Sequence, residues 1–183
     1  MALTQVFLGL GSNRQRRQHM QAGIRALHDR FASRQQPLRV ARMFESAAVG
    51  FDGHDFYNTV VGFCTDLPLS ALSEVCKQIE QANGHPSSLP KYSPRTLDID
   101  LLIYGDRVCR QPVQLPRPEV LYNAFVLWPL AELAPDFRHP GVQQSFAQLW
   151  QNFRSEQILK PIEFRYPALP FLITPESDKE AAF

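Results

Sequence analysis

Asp98 and Asp100 stand two residues apart in the run Ser93-Pro-Arg-Thr-Leu-Asp-Ile-Asp-Leu-Leu-Ile-Tyr-Gly105. From Leu97 this run reads as a strand, rich in Leu and Ile and closed by the turn pair Gly105-Asp106. Side chains alternate across a strand, so the two aspartates share one face. Leu97, Ile99 and Leu101 share the other, turned toward a core. Neighbouring carboxylates repel each other unless a cation lies between them. Mg²⁺ suits such a pair, because it takes few carboxylates and fills its shell with water and substrate phosphates. Arg95, just upstream, adds a guanidinium that can grip a phosphate through two parallel hydrogen bonds. A lone Asp-x-Asp is more often the solvated acidic face of a strand. The apolar setting and the nearby arginine favour a metal site here.

The elements that must position this strand come from a chain of 183 residues, enough for one domain with a real core or one domain plus a tail. Apolar residues make up 44%, which argues against disorder. A net charge of +1 gives no bulk attraction for nucleic acid or an anionic membrane. The N-terminal residues lack the pattern of a signal peptide, and no apolar run is long enough to span a bilayer. Cys64, Cys76 and Cys109 are odd in number and widely spaced, which fits buried thiols in a reducing cytoplasm. His19, His28, His54, His85 and His139 show no zinc-ligand spacing.

Val6 to Leu10 reads as a buried strand ending in Gly9-Leu10-Gly11-Ser12-Asn13, where Ser12 or Asn13 could cap a helix. No Gly-Lys-Ser/Thr follows, so this is not a P-loop. The spacing of Met20, Ile24, Leu27 and Phe31 predicts a helix from about Arg16 to Ala32, with Arg14, Arg16 and Arg17 clustered at its start. Leu38 to Ser46 and Phe56 to Thr65 read as strands, separated by the loop Ala47 to Asp55. Asn58 has both a donor and an acceptor, so it could pair with the edge of a heterocycle or satisfy local backbone. A second helix carries Leu69, Leu72, Cys76 and Ile79 on one stripe, with Asp66 as a cap and Pro68 in its first turn. Lys77 and Glu80 share its polar side.

The loop from Gly84 to Pro94 is a candidate lid. After the acidic strand come a short strand over Arg107 to Arg110, prolines 112, 116 and 118, a helix opened by Pro129 and stopped by Pro135, and a last helix through Phe146, Leu149, Trp150 and Phe153. Residues 155–183 read as an extended tail packed through Phe164, Tyr166 and Phe171. The expected division is therefore a domain over 1–154 and an extension over 155–183. The expected fold is α+β: a ferredoxin-like βαββαβ sandwich, one antiparallel sheet with helices on one face, and appended C-terminal helices and tail. Such folds host many functions, so function must come from the site.

Four stretches taken together resemble the 6-hydroxymethyl-7,8-dihydropterin pyrophosphokinase family of folate biosynthesis. They are Phe7-Leu8-Gly9-Leu10-Gly11-Ser12-Asn13, Phe56-Tyr57-Asn58, the acidic strand with its Arg95, and Phe125-Val-Leu-Trp-Pro-Leu-Ala-Glu-Leu-Ala-Pro135. The resemblance runs from about residue 5 to residue 150. It implies transfer of the β,γ-diphosphate of ATP to the hydroxymethyl group of a reduced pterin, with release of AMP. Two Mg²⁺ ions would be held by Asp98 and Asp100, with Arg95 bracing a phosphate. Such transfer is mainly positioning plus charge neutralisation. Asn58 would bond the pterin edge, Phe125 would stack on its ring opposite Phe56, and backbone groups around Ser46, Ala47 and Val49 would complete the pterin pocket. Lys77, Glu80, Lys91, Tyr92, Leu101 and Arg117 fall on the ATP side. The expected partners are small molecules alone, with no nucleic acid or membrane. The chain would act as a cytoplasmic monomer.

The chain departs from the family pattern at the lid, where His85 and Ser87 match arginines. Tyr92 stands for a usual Trp, Ser93 for Gly or Ala, Arg117 for a His, Asn123 for a basic residue and Lys77 for a Gln. Each missing arginine would remove about 2–4 kcal/mol of transition-state stabilisation, as for single electrostatic donors elsewhere. The alternative reading is thus a paralogue that binds pterin or nucleotide with little or altered activity. An RNA-binding ferredoxin-like domain is a third class, opposed by the near-neutral charge and the paired aspartates.

Overall fold

The computed structural model describes residues 2–84 and 96–176. β1 (Thr4–Ser12) alternates its side chains between two cores. Val6, Leu8 and Leu10 face Met20, Ile24 and Leu27 of α1 (Arg16–Phe31) and Leu69, Leu72 and Cys76 of α2 (Leu69–Ala82). Leu97, with Ile99 and Leu101 of β5 (Asp98–Tyr104), completes this layer, as the alternation of the acidic strand requires.

Phe7 points the other way. With Val60, Leu102 and Ile103 it packs against Val126, Leu127 and Leu130 of α3 (Ala124–Leu133) and Phe146 of α4 (Phe146–Asn152). Helices therefore cover both faces of the sheet, α1 and α2 the face expected and the appended α3 and α4 the other. The reason is in α3, which buries Ala124, Val126, Leu127, Pro129, Leu130 and Ala131. A helix apolar on most sides needs partners on most sides, and the second sheet face supplies one.

The strands run β5-β1-β4-β2-β7, with β4 as Phe56–Thr65, β2 as Leu38–Val40 and β7 as Leu172–Ile173. β3 (Phe44–Ser46) pairs with the first residues of β4, and β6 (Leu159–Pro161) pairs with β3. All pairings are antiparallel except β2 with β7. The order β-α-β-β-α-β thus holds, with one expected strand divided. The run Leu38 to Ser46 breaks at a one-residue register slip against β4, where the Thr59 hydroxyl lies 3.0 Å from both the Ala41 and the Arg42 carbonyls.

Other local expectations change for equally specific reasons. β1 continues through Ser12, so the α1 cap falls on Gln15 rather than Ser12 or Asn13. Pro68, not Asp66, precedes the first residue of α2, and the Thr65 hydroxyl takes the Leu67 N–H at 3.1 Å. Arg107 to Arg110 forms only a single bridge, Cys109 with Leu115. α3 begins at Ala124, ahead of Pro129, which lies inside the helix. An interior proline costs about 3 kcal/mol, and burial on the second sheet face outweighs it. In the C-terminal segment Phe164 is buried and Tyr166 packs on the same core, but Phe171 is 46% exposed. No helix among the described residues is long and apolar enough to cross a membrane.

Candidate active site

Gly9 of β1 stands across from Asp100 of β5, and Gly11 stands across from Asp98. Where β1 meets the aspartates it therefore has no side chain. The face is left open, and a cavity of about 440 Å³ lies over it. The closeness is measurable: a Cβ on Gly11 would come within 3.3 Å of Asn58 Oδ1.

Asn58 comes from β4 and is buried at 7% exposure. Its Nδ2 donates to Ser46 Oγ at 2.7 Å, which fixes the amide plane and ties β4 to the end of β3. From Ser46 the wall continues through Ala47, Val49 and Phe51 to Phe56, with the Phe51 and Phe56 rings edge to face at 6.3 Å. Phe125, in the first turn of α3, closes the opposite side. All six residues expected to hold a pterin thus surround the same space as the aspartates: Ser46, Ala47, Val49, Phe56, Asn58 and Phe125.

Arg117 reaches the site through a bulge. The β1–β5 register slips between Phe7 and Leu8, leaving Leu102 without a partner in β1. The Leu102 carbonyl accepts the Arg117 backbone N–H at 2.9 Å, docking the incoming loop on the edge of β5. The guanidinium then lies 3.3 Å from Asp100 Oδ1 and 3.2 Å from Glu119 Oε2. Its Nε is shielded from water and not aligned for a hydrogen bond, so the contact with Glu119 is an ion pair only.

Glu80 enters from α2, below the strand edge, and its Oε1 accepts the Ile99 N–H at 2.7 Å. Burial pushes its carboxyl up to about 8; the Ile99 amide opposes this, and Asp98 and Asp100 add to it. The setting of Glu80 thus favours its protonated form. Burial also pushes the Cys76 thiol up to about 12, assisted by Glu80 and Asp100.

Lys77 stays exposed on α2, and Leu101 is buried in the core on the far side of the strand. Neither is brought to the cavity. Arg95, Lys91 and Tyr92 lie outside the described residues, as do His85, Ser87 and the expected lid. Arg16 is held by Glu45 at 2.8 Å and lies over the Tyr57 ring, while Arg17 lies over Phe164. Residues that the sequence reading missed include Gly9, Gly11, Thr59, Glu119 and Tyr122. The two glycines did carry a signal, since glycines two apart in an apolar strand clear one face of it.

The family model for 7,8-dihydro-6-hydroxymethylpterin-pyrophosphokinase (HPPK) matches residues 7–135, which include both glycines, both aspartates and Phe125. The chain belongs to this family. HPPK members are the pyrophosphokinases of folate biosynthesis, which is the activity class expected from the motifs. The 2-amino-4-hydroxy-6-hydroxymethyldihydropteridine pyrophosphokinase of Synechocystis sp. is 38% identical over 112 residues, covering 61% of this chain and 57% of its own. The protein of the same name from Methylorubrum extorquens is 36% identical over 153 residues, covering 80% of this chain and 94% of its own. The Plasmodium falciparum HPPK-DHPS structure with pteroate superposes with a TM-score of 0.61 at 13% identity, over 82% of this chain and 43% of that longer one. That likeness bears on the fold, which is ferredoxin-like with an antiparallel-dominated sheet.

Proposed function

We propose that this chain transfers the diphosphoryl group of ATP to the hydroxymethyl oxygen of 6-hydroxymethyl-7,8-dihydropterin, releasing AMP. One observation carries the reading. Asn58 and Phe125, suited to a flat heterocycle, open onto the same cavity as Asp98 and Asp100, suited to a metal-bound polyphosphate. The substrate alcohol and the phosphates would meet between them.

The residues present fit Mg²⁺. Asp98 and Asp100 crowd negative charge on the face that Gly9 and Gly11 leave bare. Among the described residues no cluster of three or more His, Cys, Asp or Glu is built for a metal. Two carboxylates with the remaining positions left to water and phosphate is the donor set magnesium accepts. When bound, the metal supplies charge neutralisation on the phosphates. Two ions are the number the family resemblance implies.

The chain's own residues do the positioning. Asn58, its plane set by Ser46, offers its amide group to the pterin edge. Phe125 and Phe56 flank the ring by stacking. Arg117 neutralises Asp100 before substrates arrive and reaches the phosphates afterwards. Arg95, Lys91 and Tyr92 would add contacts from the nucleotide side. The hydroxymethyl oxygen bonds to the β-phosphorus, the α–β bridging bond breaks toward AMP, and the hydroxyl proton passes to solvent. The protein is proposed to act in the cytoplasm as a monomer on small molecules alone, with residues 155–183 an extension of the catalytic unit.

The test is direct. Protein, Mg²⁺, ATP and the dihydropterin alcohol are incubated, and AMP is measured. Release above the no-pterin control supports the assignment; release at background rejects it.

A further inference from the structure

The start of α3 is capped from outside the helix. Its N-cap residue, Asn123, makes no side-chain capping bond within the helix. Instead Gln157, 34 residues later, donates from Nε2 to Asn123 Oδ1 at 3.0 Å. The same side chain accepts the Ala124 N–H on its Oε1 at 2.7 Å. Ala124 N–H is one of the first helical amides, which have no partner inside a helix and need one from elsewhere. Gln157 supplies it with both ends of a single amide. The next residue in α3 is Phe125, on the cavity wall.

Two residues beyond Gln157, Leu159 pairs with Ser46 as β6 joins β3. Ser46 is the residue that holds the Asn58 amide. The chain is thus bonded to one wall of the cavity at 157 and to the other at 159. Two residues of extended backbone span at most about 7 Å, so the strap limits how far the walls move apart while both attachments hold.

We propose that residues 157–159 form a strap that sets the width of the pterin slot, with Gln157 as a positioning residue for Phe125. The inference rests on the pterin reading above and deepens it. The strap acts on the ring-binding side, whereas Asp98 and Asp100 are positioned by the pairing of β5 with β1 and Arg117 by its bond to the Leu102 carbonyl. It accounts for Asn123 as well. A basic side chain in that place would lack the acceptor oxygen that Gln157 uses.

The experiment compares wild type, Gln157→Ala and Gln157→Glu. Binding of 6-hydroxymethylpterin is followed by its fluorescence with saturating Mg²⁺ and α,β-methylene ATP; affinity for that nucleotide is measured separately by calorimetry. Gln157 is exposed, so its truncation leaves the fold intact. Gln157→Ala is expected to weaken pterin binding about 3–10-fold, the loss of one or two hydrogen bonds of ordinary strength, with nucleotide affinity unchanged. Exchange protection of the Ala124 amide should fall in the same variant. Gln157→Glu keeps the oxygen for Ala124 N–H and can accept from a turned Asn123 amide, so it should restore most of the affinity. Unchanged pterin binding in Gln157→Ala, or equal loss of pterin and nucleotide, overturns the strap. Failure of the wild type to bind the pterin overturns the substrate reading itself.

Discussion

Arg117 sits 3.3 Å from Asp100, guanidinium to carboxylate, at the rim of the cavity. It is the cation nearest the paired aspartates among the described ion pairs, and it also faces Glu119. Under the proposed metal reading, Arg117 and a divalent ion compete for Asp100. Arg117→Ala should bind Mn²⁺ alone more tightly, because a competing cation is gone, and bind Mn²⁺ with ATP more weakly, because a phosphate contact is gone. Paramagnetic titration with and without nucleotide reads both signs; movement in the same direction would refute the exchange.

Asp98 pairs with Gly11 across the ladder and points into the cavity. Asp98→Ala removes half of the proposed metal-holding pair and its hydrogen bond to Glu80, while the apolar core of β5 stays in place. We expect Mg²⁺-dependent ATP binding to vanish while circular dichroism and melting stay near wild type. Calorimetry giving an unchanged MgATP affinity would contradict the metal assignment.

Gly11 tests the pocket from the other side. A Cβ there meets Asn58 Oδ1 at 3.3 Å, so Gly11→Val must displace the amide that Ser46 holds. The overpacking is expected to cost about 1–3 kcal/mol of stability, and pterin affinity should fall with the displaced amide. Equal pterin affinity in this variant would show that Asn58 does not contact the ring.

The lid departures predict a gain rather than a loss. If His85 and Ser87 account for slow turnover, His85→Arg with Ser87→Arg should raise kcat strongly, since a single electrostatic donor near the reacting group contributes about 2–4 kcal/mol. No gain in AMP release would favour a paralogue with a different task.

His139 sets an acid limit. Its Nδ1 accepts the Gly141 and Val142 amides at 3.0 and 3.2 Å, and its Nε2 is buried with no hydrogen-bond partner among the described residues. Burial lowers its affinity for a proton. A histidine kept neutral in the fold stabilises fully above its unfolded value, near 6.5, and that stability is lost as pH falls below it. Wild type should therefore lose melting temperature relative to His139→Asn, which keeps an acceptor for the two amides, as pH falls from 8 to 5.

Much of the site was legible in the chain because its signals are local. Strand alternation alone places Asp98 and Asp100 on one face and Leu97, Ile99 and Leu101 on the other. The spacing of Met20, Ile24 and Leu27 marks one face of α1 without reference to any partner. Residue chemistry restricts what Asn58 and Phe125 can recognise before their neighbours are known. The four short motifs carried the family through the same kind of local information.

What only the tertiary structure decided lies in contacts between residues far apart in sequence. No local pattern shows that Gly9 and Gly11 clear the floor opposite the aspartates, because strand register depends on both strands. Arg117 meets Asp100 only because a bulge exposes the Leu102 carbonyl to its loop. Helices reach the second sheet face because α3 is apolar on most sides, and Gln157 caps α3 because β6 carries the chain back past it. Periodicity tells a residue which way to point; only the folded chain determines what it meets there.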